Sequence, residues 1–125
     1  MKTANILSAL LGTVLALISL QWIFTPEAAA ESLNMLYLEG EGRNTQIRDF
    51  TAFFLGTSIM SFLSLITKKY EWICSAGIIF LIAAIFNVLA SLNHGAPIAI
   101  TSLISEIIFF SIAFTASVLY KSSDL

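Results

Sequence analysis

The sequence predicts an all-α integral membrane protein: four transmembrane helices in an antiparallel up-down bundle, with a short interfacial helix in the first loop. Of the 125 residues, 58% are hydrophobic and 11% are charged. A soluble domain is usually about half apolar and about a quarter charged. The apolar excess is concentrated in four long stretches, and the chain length fits a single transmembrane domain over residues 1–125.

Each apolar stretch is close to the length that a helix needs to cross a bilayer, about 20 residues. The stretches are also too continuously apolar for the strands of a membrane barrel, which alternate. The predicted spans are residues 6–24, 50–66, 72–92 and 98–119.

The first span has some features of a signal peptide, because Lys2 precedes it and the sequence AAA at residues 28–30 follows it. The apolar region of a signal peptide is about 7–15 residues long. Residues 6–24 exceed that length, so we expect this helix to be retained.

The connections differ in length. Those at residues 67–71 and 93–97 are short, which predicts antiparallel neighbours. Gly95 suits the positive φ at a helix C-terminus, and Pro97 suits the first turn of the next helix.

The first loop is longer. Thr25 as the N-cap and Pro26 at the first helical position predict the interfacial helix, over about residues 26–37 on the outer membrane surface. The sequence EGEG at residues 39–42 should then end it.

The distribution of basic residues predicts orientation, because lysine and arginine are enriched on the cytoplasmic side. One set of span ends carries Lys2, Lys68, Lys69 and Lys121, whereas the basic residues of the first loop are diluted by acidic ones. We therefore expect a cell membrane protein with both termini, Met1 and Leu125, in the cytoplasm.

Small residues should mark the packing faces, because lipid gives apolar helices no hydrophobic reason to associate. The first span offers Ser8, Gly12 and Ala16 at helical spacing, and the second offers Ala52 and Gly56.

One carboxylate, Glu106, lies inside the last span. It is eight residues past Ile98, about 12 Å deep at about 1.5 Å per residue. A charged group at the centre of a transmembrane helix costs about 2.5–3.5 kcal/mol. We therefore expect Glu106 to face the bundle interior, with Ser102 one turn before it on the same face.

Three polar residues lie at a depth that could bring them to Glu106. They are Arg48 at the outer mouth of the second span, Asn87 in the outer part of the third, and His94 in the turn that follows. An Arg48 pair would keep Glu106 ionised, whereas a protonated Glu106 would donate to Asn87 or to a ligand. Arg48 could instead reach lipid headgroups, and Asn87 could be an interhelical clasp.

Several chemistries find no support in the pattern. One histidine and one cysteine do not make a metal site, no histidine lies within a span to bind haem, and no phosphate-binding loop is present. No basic run suggests nucleic acid. We expect no cofactor.

Three functions are compatible with the pattern. The favoured one is a small membrane protein, more plausibly not an enzyme, that binds a lipid, a small apolar ligand or a membrane partner through the outer-half polar site. The second is an enzyme on a lipid-like substrate with Glu106 as acid or base. The third is a proton-coupled transporter that acts as a homo-oligomer.

The chain also resembles a known family. Asn44 and Arg48 lead into the second span, and the turn Asn93-His94-Gly95 is followed by Glu106 in the last span. These features are similar to a bacterial multi-pass membrane family catalogued as domain of unknown function 4345. The similarity covers nearly the whole chain and is best over residues 43–120. It implies an inner-membrane protein and draws attention to Arg48, Gly95 and Glu106.

Overall fold

A computed structural model describes residues 1–123 as five α-helices, with no strand among those residues. The predicted cytoplasmic location of Leu125 concerns a residue outside the described part of the chain. The helices are α1 (Lys2–Phe24), α2 (Pro26–Ser32), α3 (Gly40–Thr67), α4 (Tyr70–His94) and α5 (Ile100–Ser123).

Four of these helices, α1, α3, α4 and α5, are long and apolar enough to cross a membrane. This confirms the predicted all-α class with four long apolar helices. Many large aliphatic and aromatic side chains are exposed along these helices, among them Leu17, Ile59, Phe86 and Phe114. Such surfaces are compatible with contact with a lipid bilayer.

The four long helices pack as two close pairs, α1 with α3 and α4 with α5, and the pairs meet through α1–α5 and α3–α4 contacts. Asn5, near the start of α1, joins three helices. Its Oδ1 accepts hydrogen bonds from Lys68 Nζ and from Tyr120 Oη, each at 3.0 Å. We call this end of the bundle the Asn5 end, and the opposite end, where α1 finishes, the Trp22 end.

A row of small polar side chains is buried along α3, and one of them bonds to α1. Thr57, Ser58, Ser61 and Ser64 are all buried on one face of α3. Ser58 Oγ donates to the Gly12 carbonyl of α1 at 2.7 Å. An interhelical hydrogen bond of this kind satisfies the serine hydroxyl where no water is available.

The second long helix begins ten residues earlier than its predicted span, at Gly40 rather than at residue 50. The EGEG sequence therefore starts a helix, whereas we had expected it to end one. Gly40 has a φ of +60°, which glycine adopts readily, and Glu41 then lies in the first turn, where the helix dipole favours an acidic residue. Hydropathy missed these turns because they are polar.

The short helix α2 is also different from its prediction. Thr25 and Pro26 lie at its start as predicted, but the Thr25 hydroxyl donates to the Gln21 carbonyl of α1 and does not cap α2. The helix ends at Ser32, because Asn34 adopts a positive φ and turns the chain away. Residues 33–37 are therefore not helical.

The turn between α4 and α5 agrees only partly with expectation. Gly95 has the predicted positive φ, +67°. Pro97, however, precedes α5, which begins at Ile100, so the predicted place of Pro97 in the first helical turn is wrong.

Two helical glycines, Gly77 of α4 and Gly56 of α3, differ in how closely a neighbouring helix approaches them. A Cβ added at Gly77 would lie 3.0 Å from the Ala113 Cβ of α5, whereas a Cβ at Gly56 would meet nothing within 4 Å. Within the described chain, Gly56 therefore does not make the close helix contact that was predicted for it.

We expect Gly77→Ala to lower the free energy of unfolding by about 1–3 kcal/mol, because the Ala113 methyl is fixed to its backbone and the helices must separate. Gly56→Ala is the matched control. It should be neutral or stabilising by up to about 1 kcal/mol, through helix propensity. Thermal unfolding in mild detergent measures both, and equal destabilisation by the two variants would contradict the packing described.

Candidate functional site

A cavity of about 540 Å³ lies between the four long helices at the Trp22 end. This volume falls in the range of sites that hold one small molecule, about 300–1,000 Å³. Every long helix contributes to the lining, and the segment after α2 covers part of it. The lining residues are Ile18, Gln21, Trp22, Ser32, Leu33, Asp49, Phe50, Phe53, Phe54, Phe80, Ala83, Thr101, Ser102, Ser105, Glu106 and Phe109.

The cavity exists because α5 leaves the core along its length. The buried residues of α5 are Ala113, Ala116, Ser117 and Tyr120, all in its second half. Those of α4 also lie toward the Asn5 end, the last being Ala84. Small side chains let the helices approach closely at the Asn5 end, and space opens toward the other.

Six aromatic rings line this space and form a continuous series of contacts, which we call the aromatic series. Trp22 of α1 stacks on Phe50 of α3 at 4.7 Å between centroids. Further along, Phe53 meets Phe80 of α4 at 5.3 Å, and Phe80 meets Phe109 of α5 at 5.1 Å. Such offset and edge-to-face pairs are favourable geometries. The complete series is Trp22, Phe50, Phe54, Phe53, Phe80 and Phe109.

Polar groups are gathered on the α5 side of the cavity. Thr101, Ser102, Ser105 and Glu106 occupy its first two turns. Within the described chain, the Glu106 Oε2 atom is buried and has no hydrogen-bond partner. A buried polar atom without a partner costs about 1–3 kcal/mol, so its presence beside an open cavity calls for an explanation.

Asn87 of α4 lies beside the Glu106 carboxyl. Its side chain is already engaged with the start of α5: Nδ2 donates to the Ala99 carbonyl and Oδ1 accepts from the Ala99 amide, both at 3.1 Å. Only the second N–H of the amide is left for Glu106. Asn87 is thus an interhelical clasp as well as a neighbour of the carboxylate.

The structure does not bring the other two predicted residues to Glu106. Arg48 Nε donates to the adjacent Asp49 Oδ1 at 3.0 Å, and both side chains are more than half exposed. His94 lies in the last turn of α4, is exposed, and does not line the cavity. The early start of α3 explains why Arg48 does not reach Glu106. Arg48 lies within this helix, and its side chain is directed outward. Of the predicted set, Glu106 and Ser102 line the cavity.

A second cavity of about 390 Å³ adjoins the first. Leu33, Thr101 and Ser102 line both, and the remaining lining comes from Asn34 and the connection between α4 and α5. The two cavities therefore meet between the segment after α2 and the start of α5.

The segment over residues 33–39 is held in place by α3. Gln46 is buried, and its amide accepts from the Leu38 N–H at 3.0 Å and donates to the Leu36 carbonyl at 3.1 Å. Arg43 Nε donates to the Leu38 carbonyl at 2.9 Å, and its guanidinium lies 4.3 Å from the Tyr37 ring centroid. These bonds fix the backbone of the segment whose first residue, Leu33, lines the cavity.

Sequence reasoning missed the aromatic series and Gln46. A signal for the first was available, since Phe50, Phe53 and Phe54 have the spacing of one helix face. No signal pointed to Gln46, because the polar turns that contain it were placed in a loop.

No protein-family model, curated protein or solved structure matches this chain. The resemblance to domain of unknown function 4345 therefore stays a prediction, and function is argued from the cavity. Among residues 1–123, no group of three or more histidine, cysteine, aspartate or glutamate side chains is placed to hold a metal ion.

The Asn87 clasp can be tested by removing its amide. We expect Asn87→Ala to destabilise the protein by about 1–3 kcal/mol, because two hydrogen bonds to Ala99 are lost and each contributes about 0.5–1.5 kcal/mol. Asn93→Ala, at an exposed position of the same helix, is the control and should change the unfolding temperature little. If both variants unfold at the same temperature as the parent protein, Asn87 does not hold α5 in place.

Proposed function

We propose that this chain is a multi-pass membrane protein that binds one small apolar or amphiphilic molecule in the cavity at the Trp22 end. The observation that carries the proposal is the pairing of an aromatic-lined space of about 540 Å³ with a buried Glu106 oxygen that has no partner in the described chain. Binding sites of this class are mostly apolar, with a few polar groups that orient the ligand.

In this proposal the aromatic series supplies the apolar contact area and Glu106 supplies the polar anchor. Ser102 and Ser105 offer further hydroxyls on the same side. Leu33, at the start of the segment that Gln46 holds, lines the cavity and adds to its apolar surface.

The four long helices form an antiparallel up-down bundle across an inner cell membrane, with the Asn5 end in the cytoplasm. This orientation is supported by basic residues at that end: Lys68 contacts Asn5, and the Lys121 ammonium lies 5.2 Å from the Tyr70 ring centroid. Helix α2 lies at the outer surface, with Ala29 and Ala30 against the bundle and Glu27 exposed.

An enzyme with Glu106 as acid or base is the second candidate, and one observation favours it. Asp49 lines the same cavity, so Glu106 is not the only carboxyl group there. Asp49 is largely exposed and paired with Arg48, however, which makes it a poor proton partner for Glu106. Binding therefore remains the proposal.

Filling the cavity tests the binding proposal. Ala83 lines the cavity, and a phenylalanine there would occupy the space of the ligand. Ala52, exposed on α3, is the matched control. We expect native mass spectrometry in mild detergent to show a small molecule retained by the parent and by Ala52→Phe, and lost from Ala83→Phe. Equal retention by both variants would place the molecule elsewhere.

Cysteine labelling tests the orientation. Glu39 and Ser122 are both exposed and lie at opposite ends of the bundle. In a Cys74→Ser background, an impermeant thiol reagent added to intact cells should label Glu39→Cys and leave Ser122→Cys unlabelled until the cells are opened. The reverse pattern would invert the proposed topology.

A further inference from the structure

We propose that the ligand is an organic ammonium ion with an apolar body, a statement that rests on the proposed binding function and names the class of ligand. The first support is the charge of the cavity. Asp49 and Glu106 both line it, and among residues 1–123 it is lined by no lysine, arginine or histidine. A phosphate or carboxylate headgroup would find no cation there.

Arg48 is the cationic side chain that an anionic ligand could have used, but it does not reach the cavity. Its guanidinium is paired with Asp49 at 3.0 Å and is largely exposed, and Arg48 is not a lining residue. An anion in the cavity would therefore lie beside the Glu106 carboxyl group with no lining cation to compensate its charge, which is unfavourable.

The second support is the aromatic series. The faces of tryptophan and phenylalanine rings carry negative potential and attract cations, most strongly where water is excluded. Six such rings line one cavity here, and four helices contribute them. The same rings give a favourable surface to the apolar body of the ligand.

The third support is the unpartnered Oε2 atom of Glu106. A bound ammonium would keep Glu106 ionised, as the Arg48 pair expected from the sequence would have done, and an ionised carboxylate accepts hydrogen bonds only. An ammonium N–H is the strongest donor for a carboxylate, because both partners are charged. The hydroxyl oxygens of Thr101, Ser102 and Ser105 can accept its remaining N–H groups.

The inference can be tested with three probes of similar size that share a bromophenyl body and carry a cationic, neutral or anionic head group: 4-bromophenethylamine, 4-bromophenethyl alcohol and 4-bromophenylacetic acid. Bromine quenches tryptophan fluorescence on contact. Trp22 lines the cavity, whereas Trp72 is exposed near the opposite end. The full chain carrying Trp72→Phe reports on the cavity, and the chain carrying Trp22→Phe reports probe dissolved in the micelle.

We expect the amine to quench Trp22 at a concentration at least about tenfold below that of the alcohol, the size expected of one charged hydrogen bond, and the acid to quench least. Glu106→Gln, which keeps the size of the side chain, should weaken the amine by about tenfold and weaken the alcohol less, because only the amine loses an ion pair. Glu71→Gln is the control of equal charge change, exposed in the first turn of α4, and should have no effect.

Two results would overturn the inference, and they are distinguishable. If the alcohol or the acid quenches Trp22 as well as the amine does, or if Glu106→Gln leaves the amine unchanged, the cavity binds molecules without selecting a cation. If no probe quenches Trp22 more than Trp72, the cavity is not a binding site for molecules of this size, and the proposed function falls with the inference.

Discussion

The arrangement depends on how closely α5 can approach the other helices along its length. Toward the Asn5 end its buried residues are mainly alanine and serine, and Gly77 of α4 lies against Ala113. Toward the Trp22 end the facing residue is Phe109, in contact with Phe80. The helices approach closely where Gly77 meets Ala113 and are held further apart where Phe80 meets Phe109, since rings cannot interpenetrate. The cavity is the result of this gradient.

The two ends differ correspondingly in how their polar groups are satisfied. At the Asn5 end, Asn5 accepts hydrogen bonds from two other elements, and Ser64 Oγ both donates to the Lys69 carbonyl and accepts from the Ile73 N–H. At the Trp22 end, one oxygen of Glu106 has no partner in the described chain. Closed polar networks make a helix junction rigid, and an open carboxyl beside free volume is suited to a ligand.

Composition and hydropathy predicted the four long apolar helices, because each is apolar over most of its length and each buries small residues. They could not predict where α3 begins, since its first turns are polar and are held by Gln46 and Arg43 through contacts with the 33–39 segment. The cost of an intramembrane carboxylate identified Glu106, and depth alone placed Asn87 near it. Depth could not decide whether Arg48 and His94 reach Glu106, because the direction of a side chain depends on the rotation of its helix.

The central claim is that the helices separate at the Trp22 end around an occupied chamber that Glu106 faces. An experimental structure of the full chain in lipid nanodiscs tests it most directly. The account predicts that α1 and α5 diverge there, that the aromatic series lines the space between them, and that additional density lies in contact with Glu106 Oε2. Helices closed along their whole length, with the Glu106 side chain directed at lipid, would contradict it.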